Sequence, residues 1–172
     1  IFSTELKPQP AQVDPFDINV DMSQWKKPRN RLPPRTQTPA KNAEIERQIR
    51  KMIDAKIIKP SQASHYSQVQ LTPKPNGKWR FCIDYRLLNE SCTALGWPIP
   101  NIKQMLQRLG HQKAKYYAVM DLTSGYYQAP LSRNSQEAIA FITFMGVFEW
   151  LRVPMGFKGS PSYFQQRMAE VV

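Results

Sequence analysis

Apolar and polar positions along the 172-residue chain change rhythm several times. Over the first forty residues the apolar side chains keep no period. Seven of the 15 prolines fall there, so residues 1–37 read as an extended arm or linker ahead of a folded unit at 38–172. From Thr38 the spacing turns helical. Thr38 can cap, Pro39 fits a first turn, and Ile45, Ile49, Met52 and Ile53 share one face until Lys59-Pro60 ends the pattern. Alternation follows over Gln68 to Thr72 and again over Trp79 to Ile83. The turn Lys74-Pro75-Asn76-Gly77 joins the two runs into a hairpin, with Lys74, Lys78 and Arg80 at its tip. Pro98 and Pro100 precede a second amphipathic helix with Ile102, Met105, Leu106 and Leu109 on one face. Residues Tyr116 to Leu122 are apolar without alternation, as in a strand buried on both faces. Residues 138–144 and 147–153 flank Met145-Gly146 as another hairpin. Ser160-Pro161 then caps a helix that carries Phe164 and Met168. Hairpins and helices interleave without repeats, which favours α+β over a doubly wound sheet.

Charge narrows the partners. The formal net charge is +11, which points to a polyanion, nucleic acid before a membrane surface. No apolar run is long enough to span a bilayer and no basic amphipathic helix is evident, so no membrane partner is expected. The run Trp25 to Arg35, WKKPRNRLPPR, holds five basic residues and no acid. It is either a solvated linker or a strap along a phosphate backbone. Cys82 and Cys92 make no disulfide framework, and an intracellular, reducing setting is expected. The chain starts at Ile1, as expected of a piece cut from a longer polypeptide.

Candidate catalysts are few. His65 and His111 stand in polar contexts and read as surface residues. No Ser-His-Asp or Cys-His set, phosphate loop or dinucleotide fingerprint is present. Asp121 stands out in AVMDLTSGYY, at the end of an apolar run and before a Ser124-Gly125 turn. Two readings fit it equally on local context: a ligand for a hard metal ion such as magnesium, or a cap for the turn. In Gly156-Phe157-Lys158-Gly159-Ser160-Pro161 a glycine-flanked lysine precedes a helix, which suits phosphate. One carboxylate for metal and several cations for phosphate describe phosphoryl transfer on a nucleic acid. The plainer alternatives are Tyr126 as core, Arg80 as the partner of Asp84, and Asp84, Arg86 and Asn89 as ties between hairpin and body.

Four segments occur in a specific order: IIKPSQASHYSQVQLTPKPNGKWRFCIDYRLLNE, WPIPNI, YYAVMDLTSGYYQ and AFITFMGVFEWLRVPMGFKGSPSYFQ. Together, from about Arg29 onward, they resemble the reverse transcriptases of gypsy-type long-terminal-repeat retrotransposons and their retroviral relatives. The resemblance implies a right-hand polymerase fold. Residues up to about Leu88 with 130–153 would be fingers, and the strand bearing Asp121 palm. It implies Asp121 as the first catalytic, metal-binding aspartate, with the Leu122 carbonyl as second ligand to Mg2+. Tyr126 matches the aromatic gate that disfavours a 2′-hydroxyl. Arg80 and Lys74 match cations at the incoming nucleotide, although Pro73 or Pro75 occupies one family lysine position. Met155 and Gly156 border the nucleotide, and Lys158, Gly159, Ser160 and Pro161 the template and primer.

The implied partners are an RNA or DNA template with primer, deoxynucleoside triphosphates, and the rest of a polyprotein: remaining palm, thumb, RNase H and integrase. The family's paired aspartates are not in this sequence, which contains no Asp-Asp pair. The 172 residues are therefore read as fingers plus a partial palm, truncated before the second catalytic motif. Alone they are expected not to polymerise and to fold poorly along an unpaired sheet edge. The competing function is a catalytically dead or domesticated remnant that binds nucleic acid. An RNA-directed RNA polymerase is disfavoured by Tyr126. The lifestyle of such elements implies the cytoplasm, a virus-like particle or the nucleus.

Overall fold

The computed structural model describes residues 9–75, 77–93, 96–98, 100–112, 114–119 and 121–171. The first eight residues of the arm, Asn76 of the expected turn and Met120 of the expected strand lie outside these. In chain order the helices are α1 (Met22–Trp25), α2 (Pro39–Asp54), α3 (Arg86–Glu90), α4 (Ile102–Gln112), α5 (Gly125–Gln128), α6 (Arg133–Gln136) and α7 (Ser160–Val171). The strands are β1 (Ile58–Pro60), β2 (Ser67–Pro73), β3 (Trp79–Asp84), β4 (Phe141–Thr143) and β5 (Gly146–Trp150). They form one sheet in the order β1-β5-β4-β2-β3, antiparallel throughout except for the parallel pair β2–β4. The architecture is α+β, as the interleaved pattern implies. No helix among the described residues is long and apolar enough to cross a membrane.

Local sequence accounts for α2 and the two hairpins. The Thr38 hydroxyl accepts from the Lys41 N–H, and Pro39 follows in the first turn of α2. Ile45, Ile49 and Met52 bury the inner face. The helix stops at Asp54, before the expected Lys59-Pro60, because Ile58–Pro60 pairs with Phe148–Trp150 instead. In β2, Val69 and Leu71 point into the core while Gln68 and Gln70 do not, and the strand pairs with β3 from Gln68↔Asp84 to Pro73↔Trp79. The second hairpin is shorter than its sequence pattern, with Phe144 and Met145 as the turn. Gly146 sits at φ 122°, a backbone conformation that side chains resist.

Residues 9–37 are irregular apart from α1 and a 3-10 turn at Pro28–Asn30, and although most of their side chains are exposed, they are anchored to the folded unit. Phe16 and Trp25 are buried in the main core. Phe16 bridges to Leu131 and Val20 to Cys92, so the arm contributes backbone pairing as well as side chains. Asp21 caps α1 by accepting from the Ser23 and Gln24 N–H groups. The two bridges link positions far apart in sequence, Phe16 to Leu131 and Val20 to Cys92, which a local reading of composition does not capture. His65 is a second correction. It is buried, with Nδ1 2.8 Å from Ser64 Oγ, and burial beside Arg31 and Lys26 lowers its pKa.

The expected strand over Tyr116–Leu122 is not formed. Residues 116–119 and 121–122 carry no strand assignment, and Tyr116 and Val119 are 91% and 94% exposed. A strand needs a neighbour for its N–H and C=O groups, and none lies alongside among the described residues. The helix α4 shares this condition. It is amphipathic as its spacing requires, but Ile102, Met105, Leu106 and Leu109 all face outward.

Candidate functional site

Between α2, the β2–β3 hairpin and the start of α5 lies a cleft of about 1100 Å³. The hairpin lends it Lys74, Lys78 and Arg80, and the turn after Asp121 lends it Thr123 and Ser124. Two groups of residues nearly fifty positions apart in sequence thus share one cavity. Its floor is apolar and aromatic, from Met52, Ile57, Phe81 and Tyr127. The Tyr127 ring stacks on Trp150 with centroids 5.5 Å apart, and burial pushes its phenol up to about 12. Tyr127 therefore enters the cleft as a neutral, fixed surface.

The cations of the cleft outnumber its acids. Glu44 is the only carboxylate among the described lining residues. It accepts from Arg47 at 2.7 and 2.8 Å and from Gln48 at 2.6 Å. The Arg47 guanidinium, with help from Gln48 and against burial, holds its carboxyl down at about 2. Its charge is thus spoken for within α2. Arg80 is exposed and makes no ion pair among the described residues. Its suggested partner Asp84 is taken by Arg35 and Arg86, both at 2.7 Å. Arg86 first and Arg35 second hold the Asp84 carboxyl well below the usual carboxylate range. The reading of Asp84, Arg86 and Asn89 as ties agrees with this geometry. The Asn89 amide donates to the Gly156 carbonyl at 3.4 Å and its oxygen accepts the Lys158 N–H at 3.0 Å.

Asp121 is exposed, and its carboxylate receives no hydrogen bond among the described residues. It does not cap the turn that follows. That turn closes on backbone bonds, Gly125 N–H to the Leu122 carbonyl at 3.2 Å and Tyr127 N–H to the Ser124 carbonyl at 2.8 Å. Ser124 takes the left-handed conformation, φ 50° and ψ 46°. Tyr126 is half-buried against Phe164, ring centroids 5.1 Å apart and edge-on.

The donor set around Asp121 is short for a metal. Among the described residues no group of three or more His, Cys, Asp or Glu could hold an ion. One carboxylate and a Leu122 carbonyl that already accepts a bond are oxygen donors of the right kind for magnesium. They do not complete its octahedral shell.

The segment before α7 divides. Met155, Gly156, Lys158 and Pro161 are exposed, whereas Gly159 and Ser160 are buried. A Cβ on Gly159 would stand 2.9 Å from both the Phe157 and Phe16 rings. The Ser160 hydroxyl donates to the Pro154 carbonyl at 2.8 Å rather than capping α7. The Lys158 ammonium donates to the Cys92 carbonyl. The sequence reading missed the contribution of α2 to the cleft. Its signal was available: Glu44, Gln48, Lys51 and Ala55 recur at helical spacing beside the apolar stripe.

Comparison with known proteins gives this arrangement a context. A family model described as reverse transcriptase (RNA-dependent DNA polymerase) matches residues 72–172. The chain is 39% identical over 131 residues to the retrovirus-related Pol polyprotein from transposon 412 of Drosophila melanogaster, covering 73% of this chain and 10% of that polyprotein. It is 30% identical over 179 residues to the enzymatic polyprotein of Cauliflower mosaic virus (strain Strasbourg), covering 96% and 26%. The chain thus spans a tenth to a quarter of the length of these curated relatives. Its fold is shared with the prototype foamy virus protease-reverse transcriptase, with a TM-score of 0.78 at 21% identity, over 99% of this chain and 22% of that one. A foamy viral protease-reverse transcriptase in complex with an RNA/DNA hybrid gives 0.75 at 18% identity, over 99% and 22%.

Proposed function

Because this chain belongs to the reverse transcriptase family, we propose that it forms the fingers and first part of the palm of an RNA-directed DNA polymerase within a longer Pol polyprotein. The observation that carries the reading is the shared cleft. It brings Lys74 and Arg80 into one cavity with Thr123 and Ser124 of the turn that follows Asp121 and with Tyr127. Such a cleft can neutralise a triphosphate with preorganised cations and present an aromatic floor to the rest of a nucleotide.

In this reading Lys74 and Arg80 bind the phosphates of an incoming deoxynucleotide. Tyr126, held edge-on by Phe164, fixes a ring where an added 2′-oxygen would clash. Met155 and Gly156 border the nucleotide. Pro161 and the exposed backbone about Lys158 face template and primer, while Gly159 and Ser160 hold that segment in place from the core. Asp121 and the Leu122 carbonyl supply part of a magnesium site, and the missing ligands come from elsewhere in the polyprotein. The nucleic-acid complexes known for the foamy viral enzymes support a template-primer partner.

The test is primer extension on an RNA template by the full polyprotein, wild type against Asp121→Asn. Extension is expected to fall on the order of 100-fold or more while template-primer binding is kept. Undiminished extension would remove Asp121 from the chemistry. Absence of extension by the wild type, with nucleic-acid binding intact, would favour a binding remnant.

A further inference from the structure

The outer stripe of α2 has no role in the reading above. Gln48 and Lys51, on α2, line the same cleft as Lys74 and Arg80 of the β2–β3 hairpin. They are placed there by the register that buries Ile45, Ile49 and Met52, since residues three and four apart share a face. The one acid on this wall, Glu44, is bound to Arg47 and Gln48 and cannot also neutralise Lys51. Lys51 is exposed and makes no ion pair among the described residues. By contrast Arg50, one position earlier, turns to the solvent face and pairs with Glu46 at 2.6 Å. A cation left unpaired on the wall of a basic cleft has a local excess of positive charge around it. That arrangement costs free energy until an anion enters.

We propose that Lys51 is a phosphate-binding residue of this cleft, acting from α2 against the phosphates that Lys74 and Arg80 meet from the hairpin. The inference rests on the polymerase reading only for what the phosphate belongs to. The cleft volume, about 1100 Å³, lies just above the usual range for a small-molecule site. It has room for a triphosphate and for a stretch of strand backbone. Both present the same chemistry, a row of anionic oxygens. A purely structural alternative also exists for Lys51. It sits in the last turn of α2, where a cation favours the helix dipole. That role predicts an effect on stability and none on ligand affinity.

The test is equilibrium binding to the 172-residue chain, read by tryptophan fluorescence because Trp79 lines the same cleft. The probes are inorganic triphosphate and a short single-stranded oligonucleotide. The variants are Lys51→Ala, Lys51→Arg and Arg50→Ala, each checked for an unchanged thermal transition. Lys51→Ala is expected to weaken binding about tenfold, the scale of one charge-assisted hydrogen bond. Lys51→Arg should restore most of the loss, and Arg50→Ala should change affinity less than about twofold, since its charge is already paired. Weakened triphosphate binding supports the proposal with a nucleotide as source. Weakened oligonucleotide binding alone supports it with the strand as source. Equal effects of Lys51→Ala and Arg50→Ala, no effect of Lys51→Ala, or no binding of either probe by the wild type would overturn it. Primer extension by the polyprotein decides the polymerase reading separately, so the two can fail independently.

Discussion

The ring of Phe16 lies stacked on that of Tyr163, centroids 4.6 Å apart and planes 28° from parallel. Phe16 belongs to the proline-rich arm and Tyr163 to α7, so the two ends of the described chain meet in one core. The meeting is reinforced on both sides. The Tyr163 hydroxyl donates to the Asp14 carbonyl at 2.6 Å, and Arg167 pairs with Asp14 at 3.0 Å. Gly159 leaves the space into which Phe16 fits.

Phe16→Ala should therefore destabilise the whole unit and not merely release the arm. Phe16 is 3% exposed, and removing a buried Phe typically costs about 3–5 kcal/mol. Urea denaturation followed by circular dichroism is the measurement. A shift below about 1 kcal/mol would mean that the arm is dispensable and packs only loosely. Gly159→Ala, which meets Phe16 and Phe157 at 2.9 Å, should cost less, since the rings can give way in part.

What was legible in the sequence divides along the same line. The helix α2 and the β2–β3 hairpin are set by neighbours in sequence: a cap, a Pro at the first turn, a 3.6-residue period, then a two-residue period and a glycine turn. Burial of Phe16, Trp25 and His65 depends on partners far along the chain, and no local pattern marks it. Among the site residues, Lys74, Arg80 and the Asp121 turn were each identifiable, but their meeting in one cleft is a property of the fold. The apolar run at Tyr116–Leu122 has the pattern of a buried strand because apolar runs usually are buried. Burial also requires something to do the covering, and the pattern carries no information about that.

Two carboxylates should dominate the acid behaviour of the chain. Glu44 is held at about 2 by Arg47 and Gln48, and Asp84 lower still than its ordinary value of 3.8 by Arg86 and Arg35. Both folded values are depressed, so the unfolded chain binds protons first. Their stabilisation is complete above about pH 4.5 and is lost as pH falls through the folded values. The urea midpoint should stay flat from pH 7 to 5 and decline from about 4.5 toward 2. Asp84→Asn should flatten part of that decline. It should cost on the order of 1 kcal/mol at pH 7, because Arg86 is largely and Arg35 partly solvent-facing, so both ion pairs are screened. A decline as steep in Asp84→Asn as in the wild type would place the acid sensitivity elsewhere.

The two cysteines should react at different rates. Cys92 is buried and its thiol is pushed up to about 11, with Lys158 only partly offsetting the cost of burying a thiolate. Cys82 is half-exposed on β3, with Thr72 Oγ1 at 3.5 Å. Alkylation at pH 8 goes through the thiolate. Iodoacetamide should therefore label Cys82 at least on the order of tenfold faster than Cys92 in the folded chain, and both alike in urea. Peptide mass spectrometry reads the two sites separately. Equal labelling in the folded state would show that the Val20–Cys92 pairing opens readily.

The helix α4 offers the sharpest contrast between pattern and packing. Ile102, Met105, Leu106 and Leu109 are 72%, 50%, 62% and 43% exposed, and no residue of the helix is buried. An 11-residue helix with no buried residue and no covering neighbour among the described residues is close to the length at which isolated helices cease to be stable in water. Its amide hydrogens should exchange far faster than those of α2, whose Ile45, Ile49 and Met52 are anchored in the core. For the same reason Leu106→Lys should change the unfolding free energy of the 172-residue chain by no more than about 0.5 kcal/mol, while reducing binding of a hydrophobic dye. Hydrogen exchange read by mass spectrometry, with urea denaturation of the variant, checks both statements. If α4 exchanges as slowly as α2, or if Leu106→Lys costs more than about 1 kcal/mol, then this apolar face is covered in solution, and the segment Tyr116–Val119, which is equally exposed and adjacent in sequence, becomes the first place to look for what covers it.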